Sequence, residues 1–91
     1  MGRETVLFSS KEPKSRAEVS AFLRHLADRL EGGQITLRRA DNEIVLSPAE
    51  RLVLEIKAED EVKRRKGTQH SLEIELKWYD GDAGEGGVEL A

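Results

Sequence analysis

The stretch that decides the fold runs from Leu72 to Trp78 and reads Leu-Glu-Ile-Glu-Leu-Lys-Trp. Apolar and charged residues alternate in it, and successive side chains of a β-strand point to opposite faces of a sheet. One face of this strand is therefore apolar and the other charged, which is typical of an antiparallel sheet with one face in water. We predict a strand from Gln69 to Trp78, with Trp78 on the apolar face as an anchor of the core.

A second alternating segment, Arg51 to Glu59, predicts the antiparallel neighbour of this strand. Placing residue 56 opposite residue 76 sets Glu55 opposite Lys77 and Lys57 opposite Glu75. The one pair of like charges in this register is Glu59 with Glu73. Placing residue 56 opposite residue 74 sets Glu55 against Glu75. Each cross-strand pair contributes roughly 0.2–1 kcal/mol, so charge favours the first register by a small margin.

The helix signal lies nearer the N-terminus. Ser15 and Glu18 have the spacing of a capping box, in which each side chain bonds the backbone N–H of the other residue. Apolar residues then recur at helical spacing, namely Val19, Phe22, Leu23, Leu26, Ala27 and Leu30. Gly32 and Gly33 follow, and a glycine there can adopt the left-handed conformation that ends a helix. We predict a helix from Arg16 to Glu31.

Three further strands complete the predicted fold. Thr5-Val6-Leu7-Phe8, within Glu4 to Lys11, predicts a first strand that ends before Pro13, and strands are also expected from Gln34 to Arg39 and from Glu43 to Leu46. The resulting class is α+β, with the order β-α-β-β-β-β. It is mostly an antiparallel meander sheet, with the single helix packed on the apolar face. The position of the first strand in that sheet stays open.

Charge separates the body of the chain from its end. Residues 79–91 contain four acids and no base, which leaves 14 acids and 15 bases in residues 1–78. We expect residues 1–79 to form the domain and residues 80–91 to be a disordered, acidic, glycine-rich tail. A nearly neutral body favours neither nucleic acid nor membrane as a partner. The absence of cysteine excludes disulfides and thiolate zinc sites and fits the cytoplasm, the expected location.

No pattern of catalytic or metal-binding residues stands out. His25 and His70 are isolated, and neither has a carboxylate or a histidine at position i+4 on a helix. Glu73 and Glu75 share a face, but an open face with lysines nearby makes them cross-strand partners instead of an acid–base pair. We therefore expect no enzyme, no cofactor and no metal.

The basic run Lys63-Arg64-Arg65-Lys66 lies in the loop between the two alternating strands. It is a candidate contact for an anion or a nucleic acid. Three acids, Glu59, Asp60 and Glu61, precede it, and aromatic residues for base stacking are absent around it. A solvated hairpin tip is the favoured interpretation, and weak polyanion or nucleic-acid binding is the alternative.

Several of these features together resemble the amphi-Trp domain family, a small prokaryotic domain. The resemblance covers roughly residues 4–78 and rests on Glu4-Thr5-Val6-Leu7-Phe8, the capped helix, the Gly32-Gly33 stop and, above all, the stretch from Leu72 to Trp78. The family has no established activity, so the resemblance implies a domain type and no catalytic residues. We expect a non-enzymatic module that contacts a protein partner or a second copy of itself, either along an exposed strand edge or through the charged sheet face.

Overall fold

The computed structural model describes residues 2–80 of the chain. It contains one helix and four strands: α1 (Arg16–Glu31), β1 (Ile35–Arg39), β2 (Asn42–Leu46), β3 (Val53–Lys63) and β4 (Gly67–Lys77). The chain divides after Pro48 into a first unit, which holds α1, β1 and β2, and a second unit, which holds β3 and β4. Apart from Asp80, the tail predicted to be disordered lies outside the described residues.

The bounds of α1 and both of its ends confirm the sequence prediction. The Glu18 N–H donates to Ser15 Oγ at 3.0 Å, and the Ser15 N–H donates to Glu18 Oε1 at 2.9 Å. At the other end Gly33 has a φ of 87°, and the Gln34 N–H donates to the Arg29 carbonyl at 3.2 Å. This bond across the last turn is the mark of a Schellman motif, which satisfies carbonyls that have no partner within the helix.

The capping box makes the helix sensitive to acid. The pKa of Glu18 lies below its ordinary value, because its carboxylate accepts the backbone N–H of Ser15 and then bonds the Ser15 side chain, with Lys14 nearby. The stabilisation is therefore complete above the ordinary glutamate pKa and is lost as pH falls through the lowered value. Glutamine can make the same bond without titrating. We expect wild-type helix content, measured by circular dichroism, to fall more steeply than that of Glu18→Gln between about pH 5 and pH 3. If helix content fell equally with pH in both proteins, the acid sensitivity would not come from Glu18.

The first unit contains the one buried apolar residue among those described. β1 and β2 form a two-stranded antiparallel sheet in which Ile35 lies opposite Leu46 and Leu37 opposite Ile44. Ile35 is only 6% exposed, and the other three side chains are half-buried. Because α1 contacts β1, the helix packs on this small sheet and the core of the unit lies at that contact.

The prediction of a strand before the helix is wrong, because residues 2–15 contain neither helix nor strand. A strand needs a neighbouring edge to receive its backbone hydrogen bonds, and β-propensity alone does not provide one. Of the residues Thr5 to Phe8, only Phe8 is half-buried. Phe8 lines a shallow cleft with Phe22 and Leu37, so this segment contributes a side chain to the first unit and no strand.

The single meander sheet is also wrong, because the four strands form two separate two-stranded sheets. β2 pairs with β1, and β3 pairs with β4. Between these pairs lie Ser47 and Pro48, and a proline has no N–H with which to continue a ladder. The α+β class and the antiparallel pairing stand, whereas the continuous sheet does not.

The second unit is a long hairpin, and its register is the one that charge pairing disfavoured. Ile56 lies opposite Ile74, and Glu55 lies opposite Glu75. Both strands reach further toward the turn than predicted, which leaves only residues 64–66 between them. Gly67, with a φ of 87°, closes this short connection. Turn length and the glycine set the register of a hairpin, and they outweigh side-chain pairs of a few tenths of a kcal/mol.

Candidate interaction surface

The apolar face of the hairpin is exposed along its length. Its members are Leu54, Ile56, Ala58, Leu72, Ile74 and Leu76, which lie opposite one another in pairs. The four large side chains in its middle, those of Leu54, Ile56, Leu72 and Ile74, are between 53% and 66% exposed. An exposed contiguous apolar patch of this kind marks an interaction site more often than an isolated exposed leucine does.

The backbone of the hairpin is as open as its apolar face. Each strand is eleven residues long and pairs with the other strand, and no third strand within residues 2–80 joins them. Both strands are therefore edges, and an edge strand has a row of N–H and C=O groups that can receive another strand. An isolated two-stranded hairpin is at best marginally stable in water, and stability needs three or more strands or a covering helix.

Lys77 forms ion pairs with two glutamates on the charged face. Lys77 Nζ lies 2.9 Å from Glu55 Oε1 and 3.8 Å from Glu75 Oε1. Its hydrogen bond and charge lower the pKa of Glu55, while Glu55 in turn raises the pKa of Lys77. The pair Glu55–Lys77 that the sequence predicted thus exists as a diagonal contact. Its attraction offsets the repulsion between Glu55 and Glu75, which lie opposite each other.

A polar pair interrupts the apolar face toward the turn. His70 Nδ1 lies 2.6 Å from Asp60 Oδ1, on the face that is apolar further along. Beyond this pair the face continues only with Val62, opposite Thr68. His70 therefore has a cross-strand partner, and no group of residues in the described part of the chain is arranged to hold a metal ion.

The four residues of the basic run separate into two places. Lys63 is the last residue of β3, and its Nζ lies 3.4 Å from Glu61 Oε1. Arg64, Arg65 and Lys66 form the turn and are exposed. Three cations at one exposed tip can contact an anion, but this geometry builds no enclosed anion site.

Trp78 follows the last residue of β4 and is half-buried. Its neighbour Tyr79 is 78% exposed. Together with Leu76 and Lys77 they line a shallow hollow at this end of the hairpin. The anchoring role of Trp78 stays a prediction.

Alternation alone could not reveal that the apolar face is exposed, because a covered strand and an uncovered strand have the same pattern. The length of the strands was a usable signal: the segments on either side of the turn continue as far as Val62 and Thr68. A strand of eleven residues is longer than a usual strand of five or six, so a partner strand of ordinary length covers only part of such an edge.

Comparison with known proteins identifies one family. The model of the Amphi-Trp domain matches residues 1–91. No curated protein and no solved structure matches the chain significantly. The helix of the described residues, α1, is too short and too polar to cross a membrane.

Proposed function

We propose that this chain, which belongs to the Amphi-Trp domain family, is a non-enzymatic cytoplasmic interaction module that associates with itself through an edge of its hairpin. The observation that carries the proposal is the hairpin of β3 and β4, whose strands are edges along their eleven residues and whose apolar side chains at Leu54, Ile56, Leu72 and Ile74 are exposed. Addition of a strand to such an edge forms backbone hydrogen bonds that depend little on side chains.

A second copy is the partner that this hairpin suits best. Two hairpins joined at their edges form a four-stranded sheet, which meets the requirement of three or more strands with an apolar face. A twofold arrangement uses the same edge in both copies, so the pairing is complete with two chains. An unrelated partner would have to supply a matching strand, whereas a second copy has one by definition.

Sedimentation velocity of the full chain at two concentrations tests this function. We expect the weight-average sedimentation coefficient to rise from the monomer value toward the dimer value as concentration increases from about 1 μM to about 500 μM, a range that covers weak and moderate affinities. A monomer throughout this range would overturn the proposal.

The basic turn supports polyanion binding as a second candidate, since Arg64, Arg65 and Lys66 are exposed together at the tip. We expect replacement of Lys63–Lys66 by serine to leave the sedimentation profile unchanged, because Lys63 is the last residue of β3 and the other three residues form the turn. Titration with single-stranded nucleic acid at low salt examines the alternative. Salt-dependent binding that the serine variant loses would favour polyanion binding, and the absence of binding at low salt would exclude it.

A further inference from the structure

We infer that the self-association uses the β3 edge, with two β3 strands antiparallel about a twofold axis at Ile56. This inference rests on the proposed function and specifies its partner, its edge and its register. The observations that carry it are the open β3 edge and the order of charges along that strand.

The charges of β3 are complementary to themselves in this register. With Ile56 opposite Ile56 of the second copy, Glu55 lies opposite Lys57, and Arg51, which precedes β3 by two residues, lies opposite Glu61. The twofold axis repeats each pair, so four pairs of unlike charges form and no like charges meet. Unlike charges directly opposite each other stabilise a strand pair, and like charges destabilise it.

Neighbouring registers lack this complementarity. A register centred on Glu55 or on Lys57 sets that residue against its own copy. A register centred on Ala58 pairs Lys57 with Glu59 but sets Glu55 against Glu61, and one centred on Leu54 sets Arg51 against Lys57. Charges on an edge strand usually prevent pairing, but here their order permits one register near the middle of the strand.

The same register joins the two apolar faces. Ile56 meets its own copy, and Leu54 lies opposite Ala58 of the other chain on the same face of the sheet. Residues 53–59 pair within β3, and an extension of the strand to Arg51 continues the pairing over residues 51–61, or about 36 Å at about 3.3 Å per residue. Antiparallel pairing forms about one hydrogen bond per position, so the dimer gains about seven to eleven, within the range of a typical protein–protein interface.

The β4 edge offers no equivalent near its middle. A twofold axis at Leu76 sets Glu75 against Lys77, but β4 ends at Lys77, so only residues 75–77 of the strand would pair. A twofold axis at Ile74 sets Glu73 against Glu75 twice. An axis at Leu72, the middle of β4, sets Glu73 against Ser71 and forms no pair of unlike charges. If β3 paired with β4 of another copy, the joined sheet would still have a free β4 edge at one end and a free β3 edge at the other. Further chains could then add without limit, whereas a twofold dimer is closed.

Two charge-reversed variants test the register when they are mixed. Glu55→Lys sets lysine against lysine in its own dimer, and Lys57→Glu sets glutamate against glutamate. In the mixed dimer both cross-strand pairs are again unlike. We expect each variant alone to associate at least tenfold more weakly than wild type at low ionic strength, and an equimolar mixture to recover wild-type association within about threefold.

Changes within each hairpin cannot produce this recovery, because mixing does not alter contacts inside a chain. Circular dichroism checks that each variant is folded. If either variant fails to fold, Arg51→Glu and Glu61→Arg repeat the test at the two ends of the paired segment. Wild-type association without recovery in the mixture would overturn the register and leave the proposed function standing. A monomeric wild-type protein would overturn both.

Discussion

Replacement of Ile56 by lysine is expected to weaken self-association by roughly 30- to 100-fold. In the proposed dimer the two lysines face each other across the twofold axis, with Cβ atoms about 5 Å apart. At an effective dielectric constant of about 20, two charges at this distance repel by about 3 kcal/mol. Because the long side chains can bend apart, we expect about 2–3 kcal/mol, and each 1.4 kcal/mol corresponds to a tenfold change in the dissociation constant.

The matched control is Ile74→Lys. Ile74 lies opposite Ile56 within the hairpin and has nearly the same exposure, 53% against 55%. In the dimer, however, the two copies of residue 74 are three strand spacings apart, or about 14 Å, where salt screens most of the repulsion. Sedimentation velocity of both variants under the same conditions makes the comparison. Equal weakening by both changes would mean that the β3 edge has no special part in association.

Replacement of Trp78 by alanine is expected to lower the free energy of unfolding by about 3 kcal/mol. Truncation of a buried Trp usually costs about 3–5 kcal/mol, and Trp78 is half-buried, so the lower end of that range applies. This loss is a large fraction of what a small domain has. Urea unfolding at a fixed protein concentration measures it, since association would shift the apparent stability.

Tyr79→Ala is the control for the loss of an aromatic side chain at this end of the hairpin. Tyr79 is the next residue and is 78% exposed, so we expect its removal to change the unfolding free energy by no more than about 0.5 kcal/mol. If the two variants were equally stable, Trp78 would not be the anchor that its position in the alternating pattern predicts.

Local signals in the sequence were sufficient to predict the helix and the four strands that form. The bounds of α1 follow from Ser15, Glu18 and the two glycines, because capping and termination involve residues only a few positions apart. The alternation around Ile56 and Ile74 likewise identifies both strands of the second unit. In each case the physical cause lies within the segment itself.

Features that depend on distant partners could not be predicted in this way. The β-rich residues Thr5 to Phe8 do not form a strand, because a strand also requires a neighbouring edge. The register between Glu55 and Glu75 follows the turn at Gly67 instead of charge, and Lys77 compensates for it diagonally. The apolar face of the hairpin was predicted to be part of the core, because alternation reveals an apolar face and does not show what covers it.

The most direct test of the central claim is amide hydrogen exchange, resolved by residue, at two protein concentrations. β3 and β4 each have one outward row of N–H groups. Self-association through β3 predicts that the outward amides of β3 near Ile56 become protected as concentration rises, while those of β4 near Ile74 exchange equally fast at both concentrations. Protection of the β4 row instead, or no dependence on concentration in either row, would contradict it.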